Sequence, residues 1–585
     1  AGVIEGAAGT DTIDYSILNS AVNIDLENQQ ASRLGNFDTI ENIIGSRANN
    51  DSIIGSNGDD IFQITDGNNN GRINEGLSFS AIEILGGRSG NDLLSFSSLP
   101  AEELTNWAID RSNSGNVRNF RFENFQSLEG GEGNDTFSFI NNGQLTGRII
   151  GNGGDNTLDY TNSTSTPITI DLNNQSATGV ADFRDIGIFG GRRNNADSIR
   201  GSNTDDTFSI TGSGSGNINR DFSFSSIERL DGRTGNDTLD YGAYTPGAEG
   251  VRIDLGMMRA TDILEFNNIE SIIGSSGEDQ IIGSTRDDTF TMTGQHTGNI
   301  NGILAFTNIE TIDGNLGQDA LEYSSYNTPI EISIEENSVT GLSNFTNVES
   351  IIGSDTNNDK IIGSIEDDVF EMIGRDGGIA NRSLSFASIE TIDGNSGTDE
   401  LNYSRFNTAI EINLENKSAT NVELFENIEN VVGSSASEDR ILGSTGDDTF
   451  LIAGDRTGNI NGTLAFSDIE IVDGNVGTDR LDYSSYTTPI EVMTTGSRAT
   501  GISEFKNIEE ITGSNADNDK VIGASNDDTF EITGNSTGRI NNTLSFKDIE
   551  EIDGATGTDS LDYSSYSTPI EVNIGSRKAT GVLAF

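Results

Sequence analysis

Residues 481–492 read LDYSSYTTPIEV, and residues 561–572 read LDYSSYSTPIEV. The two stretches differ at a single position, so the chain repeats itself. The L-x-Y element keeps this beat at Leu321, Leu401, Leu481 and Leu561. D-D-x-F does the same at 287–290, 367–370, 447–450 and 527–530, with an earlier copy at 205–208. Self-similarity at a fixed period identifies a repeat architecture, for which length is no guide to domain count.

Each 80-residue block divides again. Phe505, Phe546 and Phe585 mark successive half-blocks, and the first two open F-x-x-I-E-x-I-x-G. Within each half, strand–turn–strand segments of about 20 residues are rich in Ile, Val, Thr and Phe and closed by Gly, Asn or Asp. No apolar period of 3.6 residues occurs, which excludes helices. A segment this short cannot bury its own apolar face; stacked on its neighbours, it can. The sequence therefore predicts an all-β chain forming a long parallel β-solenoid, of β-helix or β-roll type. It expects ~20 residues per rung within an ~80-residue sequence repeat. At ~4.8 Å per rung, about 29 rungs would make a rod of roughly 140 Å. The expected organisation is one continuous rod: solenoid repeats over 1–96, a diverged repeat or insertion over 97–160, and regular repeats over 161–585. The competing architecture, a string of 80-residue β-sandwich beads, would call for clearer linkers and more Pro than the 6 present.

Composition narrows the function. Only 33% of residues are hydrophobic and the formal net charge is −60, a balance that also marks disordered chains. The regular spacing of Ile, Val, Leu and Phe argues against disorder. There is no cysteine, hence no disulfide or thiolate metal site. No apolar run approaches the ~20 residues that span a bilayer. Lys and Arg total 33 and are scattered, which argues against nucleic-acid binding. His296 is the only histidine; a repeated catalytic triad is excluded, and the residue reads as an exposed turn position. Acid pairs such as Asp527 and Asp528 recur in many copies, and adjacent strand residues face opposite ways; architecture, not glycosidase chemistry, explains them. The chain is expected not to be an enzyme. Its one diverged stretch, 97–130 around the sole tryptophan Trp107, is where an active site would have to be sought.

At its turns the chain resembles the RTX, or haemolysin-type calcium-binding, nonapeptide G-G-x-G-x-D-x-U-x, where U is a large apolar residue. The matching stretches are GGEGNDTFS from Gly130, GSNGDDIFQ from Gly55, GSTGDDTFL from Gly443, and the tandem GSSGEDQII–GSTRDDTFT from Gly274. About a third of each block is covered; the F-x-x-I-E-x-I and T-P-I-E-V strands lie outside it. The wider pattern is similar to giant β-strand-repeat surface proteins of bacteria, including cyanobacteria. The resemblance implies calcium between stacked turns, and the candidate ligands are Asp60, Asp135, Asp279, Asp288, Asp319, Asp368, Asp448, Asp519, Asp528 and Asp559. Asp439, Asp479, Asp519 and Asp559 recur once per half-block, however, which is every second rung on this count. Such rungs are ~9.6 Å apart, too far for one ion ligated at about 2.3–2.6 Å. The alternative is that these Asp side chains bond their own turn backbone.

The functional expectation is a structural component of an extracellular filament, sheath or surface layer that self-associates end to end as a homo-oligomer or fibre. Residues 1–6 match the phase of 549–554, so the chain reads as an excised piece able to stack on further copies. The alternative is a calcium-dependent adhesin stalk, or a carbohydrate-binding surface region in which Tyr483, Tyr486, Tyr563 and Tyr566 form an outward strip for a polysaccharide, although their placement beside Leu561 and Pro569 favours a core or turn-packing role for these rings.

Overall fold

The computed structural model of the chain describes residues 2–66, 69–165, 167–193, 196–245, 249–356 and 358–585. The chain divides into two compact units, one of residues 1–284 and 302–310, the other of residues 285–301 and 311–585. Both are β-solenoids, and among the described residues there is no helix.

In the second unit the strands are mostly three residues long, with the central side chain inward. Val431, Ile441, Val472 and Leu481 are all buried. One central apolar residue per strand suffices because the strand's flanking side chains face outward. The chain alternates between two sheets, the second interrupted into separate pieces of at most five strands: Asn430–Val432 lies in the first, Arg440–Leu442 in the second, and Thr449–Gly454 again in the first.

The solenoid expected from the sequence is present, but its rung length is corrected. Parallel partners are about 31 residues apart rather than the expected twenty: Phe450 pairs with Leu481, and Ile441 with Val472. The physical reason lies in the strand order. A circuit from Val431 through Ile441 to Phe450 does have the expected length, yet Val431 and Phe450 are not neighbours. Val431 pairs with Phe466, whose strand Leu464–Ser467 runs antiparallel to Thr457–Ile460, which in turn runs antiparallel to Thr449–Gly454. Each such circuit therefore climbs three strand spacings, ~14 Å. A three-stranded antiparallel meander then steps back two and fills the gap. The second sheet repeats the device half a block later with Glu491–Met493 and Arg498–Ala499, where Ala499 and Ile502 exchange backbone hydrogen bonds.

The half-block consequently changes sheet. Asp439 precedes a strand of the second sheet and Asp479 one of the first. They are not two rungs apart on one edge, as the shorter rung required.

The first unit follows the same plan. Thr207–Gly212, Ser215–Ile218 and Phe222–Ser225 form a meander, and Phe208 pairs with Leu239. Phe183 and Phe189, from opposite sheets, meet at 5.5 Å between ring centroids, which places the core between the sheets. In the diverged stretch the expected short rung does occur: Leu128 pairs with Ile149, and Phe137 with Leu158. No meander intervenes there, so one circuit climbs one strand. Trp107 is 1% exposed. It stacks on Phe137 at 5.5 Å and meets Phe96 edge-on at 4.9 Å, while its Nε1–H donates to the Thr105 hydroxyl at 2.9 Å. The sole tryptophan is thus a core side chain of this stretch.

Candidate functional site

The residues singled out by the turn motif form a carboxylate system along the strand edges. Three kinds of Asp recur, each defined by what donates to it. In D-D-x-F the first Asp is exposed and the second buried, as the alternation of a strand requires. Asp447 Oδ1 accepts the Thr478 N–H at 2.7 Å. The buried Asp448 Oδ2 accepts from the Ser444 N–H at 2.7 Å and its hydroxyl at 3.0 Å. Its Oδ1 accepts from Asn461 Nδ2 at 2.6 Å. Asp60, Asp288, Asp368 and Asp528 are of this kind, held by Asn74, Asn301, Asn381 and Asn541 respectively.

The second kind precedes strands of the second sheet in the 311–585 unit. Asp519 is fully buried. Its Oδ1 accepts from the Ile490 N–H at 2.8 Å and the Ser514 hydroxyl at 2.8 Å, and its Oδ2 from the Ser514 N–H at 2.6 Å. Asp279 matches it in the first unit, with Val251 and Ser275 as donors. Asp135 is a variant: it accepts from the Thr105 and Gly131 N–H groups at 2.9 and 2.7 Å, and burial pushes its carboxyl above the usual range.

The third kind links turns. Asp479 Oδ1 accepts the Asp448 N–H at 2.8 Å, and its own N–H donates to Glu509 Oε2 at 3.0 Å. Asp319 and Asp559 belong here, bonded to the N–H groups of Asp288 and Asp528; Asp559 is exposed. Of the ten candidate ligands, these two pairs are the ones brought into direct hydrogen-bond contact through a backbone amide. Burial pushes Asp479 up to about 6; the Asp448 N–H opposes this, and the carboxylates of Asp448, Glu509 and Asp447 add to it.

The Asx-type alternative thus describes these side chains well, with the addition that donors come from neighbouring turns as well as their own. Among the described residues no group of three or more His, Asp or Glu side chains is arranged to hold a metal ion. Two partners escaped the sequence reading. One is the Glu of F-x-x-I-E, or F-x-x-V-E in the copy ending at Glu349, which accepts an Asp N–H in turn after turn: Glu349, Glu390, Glu429 and Glu470 at 2.8 to 3.1 Å. The other is the Asn that follows the buried Asp of most D-D-x-F copies at a fixed offset, as Asn461 follows Asp448. Both keep the repeat beat, which was the available signal.

For Tyr483 and Tyr486 the packing role favoured by the sequence is the one observed, not the outward strip. Tyr483 is fully buried, its hydroxyl donating to the Thr500 carbonyl at 2.8 Å, and it meets the half-buried Tyr486 edge-on at 5.4 Å. Tyr403 is likewise bonded to Thr420. These rings fill the core beneath the hairpins. His296 is a turn residue as expected, but half-buried, with positive φ and its N–H donating to the Gly341 carbonyl at 3.0 Å.

No family model matches the chain, and no curated protein matches it. The fold defines its class: a β-solenoid repeat protein.

Proposed function

We propose that the chain is a structural component of an extracellular filament, sheath or surface layer, in which copies associate by stacking. The observation that carries this reading is the repeated stapling of turns by acid side chains. Carboxylates that would be candidates for ligand chemistry instead bind backbone amides, copy after copy. Repetition of one arrangement serves extension, whereas catalysis needs a single constellation. Each block also offers above it the strand edges it offers below, the condition for copy-to-copy addition. The charge of −60 suits a solvated outer surface that repels unrelated polyanions.

Electron microscopy combined with sedimentation tests the proposal. Rods or fibres that lengthen with concentration are expected. A monomer that stays monomeric at every concentration, with and without calcium, would sink the assembly role.

A further inference from the structure

One second-sheet hairpin differs from all its copies at the tip. Arg252–Asp254 and Arg259–Ala260 pair antiparallel, with Ile253 and Ala260 packed inward. The tip carries Met257 and Met258, 64% and 37% exposed, and Leu264 beyond it is 40% exposed. Aligned on the Phe that closes each copy, the Met pair corresponds to Asn28–Gln29, Asn174–Gln175, Glu336–Asn337, Asn416–Lys417, Gly496–Ser497 and Ser576–Arg577. The residue in the place of Met258 has φ between 46° and 54° in all six, and Met258 has 51°. The backbone is therefore the same, and the fold does not call for an apolar tip. Clustered apolar side chains in solvent that packing does not require mark a contact surface, and Met suits one because it adapts its shape to what it meets.

The tip is also held ready. The Met257 N–H donates to Asp254 Oδ1 at 2.9 Å, and the Met258 carbonyl accepts the Phe266 N–H at 2.9 Å. A contact made here orders little backbone.

Electrostatics select the partner. A net charge of −60 makes copies of this chain repel one another. Across 252–264 the repulsion is lifted, because Arg252 and Arg259 balance Asp254 and Asp262; the matching stretch 331–343 carries Glu331, Glu335 and Glu336 and no cation. Both arginines are exposed and make no ion pair among the described residues, whereas Arg229 and Arg233 are paired to Glu265 and Asp171. Arg259 stands between two depressions. One, of about 560 Å³, has Glu228, Asp262 and Leu264 in its wall; the other, of about 320 Å³, has Arg252, Asp254 and Met257. Each sets cation, carboxylate and apolar side chain next to one another. Such a surface complements itself under a two-fold rotation, which lays the arginines of one copy on the acids of the other.

We infer that the 252–264 hairpin is a docking surface for a second copy of this chain, the two pairing side by side through the same face. Met257, Met258 and Leu264 form the dry centre, and Arg252 and Arg259 bond acids of the other copy around it. The contact is lateral, so it adds to the stacking proposed above without depending on it. Three apolar side chains make one weak contact; copies already joined by stacking would engage many at once.

Methionine oxidation of the intact chain by dilute peroxide tests this, since sulfoxide forms where the sulfur is accessible. Met257 should oxidise about fourfold more slowly at about 1 mM than at about 10 μM chain, the response of a pair with a Kd of about 0.1 mM. The half-buried Met493 and the fully buried Met292 and Met372 are the internal controls and should not respond. Met257→Asn/Met258→Gln installs the pair that residues 174–175 carry in the same hairpin, so it should fold as the parent does. In sedimentation it should lose the lateral association that the parent shows, and Arg259→Ser, the residue at 176, 338 and 418, should weaken it. Equal oxidation of Met257 at both concentrations overturns the inference, as does equal association of parent and Asn/Gln variant. So does protection that appears only with phosphatidylcholine vesicles, because a lipid surface would then be the occupant. Electron microscopy separates this contact from stacking: particles that double in width without lengthening support it and remove the stacking, whereas particles that lengthen at single width do the opposite.

Discussion

Asn461 offers the sharpest test of how the turns are held. Its Oδ1 accepts the Thr449 N–H at 2.8 Å, and its Nδ2 donates to Asp448 Oδ1 at 2.6 Å. One side chain thus closes the mouth of a meander and satisfies a buried carboxylate, while its own backbone sits at φ 52°. Asn461→Ala removes both bonds and places a Cβ in the left-handed region. A neutral hydrogen bond is worth about 0.5–1.5 kcal/mol and one to a charged group about 1.5–3; the backbone term adds about 1–2. Asn461 is exposed, so water recovers part of the bonding. The expected net loss is about 2–3 kcal/mol for Ala and about 1–2 for Gly, which tolerates the backbone. Asn461→Asp keeps the acceptor for Thr449 but sets a second carboxylate against Asp448, so its loss should shrink on acidification. In a repeat protein stability is local, and the assay is amide exchange at residues 449–454 in the intact chain. If Ala and Gly both exchange like the parent, the staple contributes nothing. If Gly is worse than Ala, the left-handed backbone is not what selects Asn.

Three further outcomes rest on the same geometry. Phe450 is fully buried at the foot of a meander, so Phe450→Ala should cost about 3–5 kcal/mol locally, read as lost protection in the strands of Phe466 and Leu481. Tyr403→Phe should cost about 0.5–1.5 kcal/mol because its hydroxyl donates to Thr420; Tyr323→Phe should be neutral or stabilising, since its buried hydroxyl has no partner among the described residues, and thermal melts of the two variants should differ in sign or size. Gly477 has φ 152°, and a Cβ there would meet the Gly446 carbonyl at 2.5 Å, so Gly477→Ala should open that turn and expose it to limited proteolysis, whereas Gly446→Ala, with only a Ser444 hydroxyl at 3.6 Å, should not.

The solenoid was legible because its signal is local: one apolar residue in a three-residue strand, then a Gly, Asn or Asp turn. The passage out and back from Val431 to Phe450 was legible at about twenty residues, but the turn of about 31 residues that separates stacked partners was not. The climb of that circuit was not. T-G-N-I and L-A-F read as two more short strands, and nothing in their composition shows that they run backwards into the gap a steep circuit leaves. Strand order is a non-local property, and three-residue strands carry too little pattern to specify partners. Where no meander is present, between Leu128 and Ile149, the simple count works.

The candidate site divides along a similar line. That Asp residues in the turns bind backbone amides follows from the chemistry of Asp beside Gly. That the turns fall into separate kinds is also written in the chain, as G-S against G-N or G-R, but its meaning emerges only with the backbone. Ser after the glycine keeps its N–H on the carboxylate; Asn accepts the left-handed twist that takes it away. Asn475 therefore leaves Asp479 Oδ2 unpaired while bonding Asp473. Both turn types hold an Asp of the same burial at the same place, so what separates them is the difference in their donors, not in their exposure.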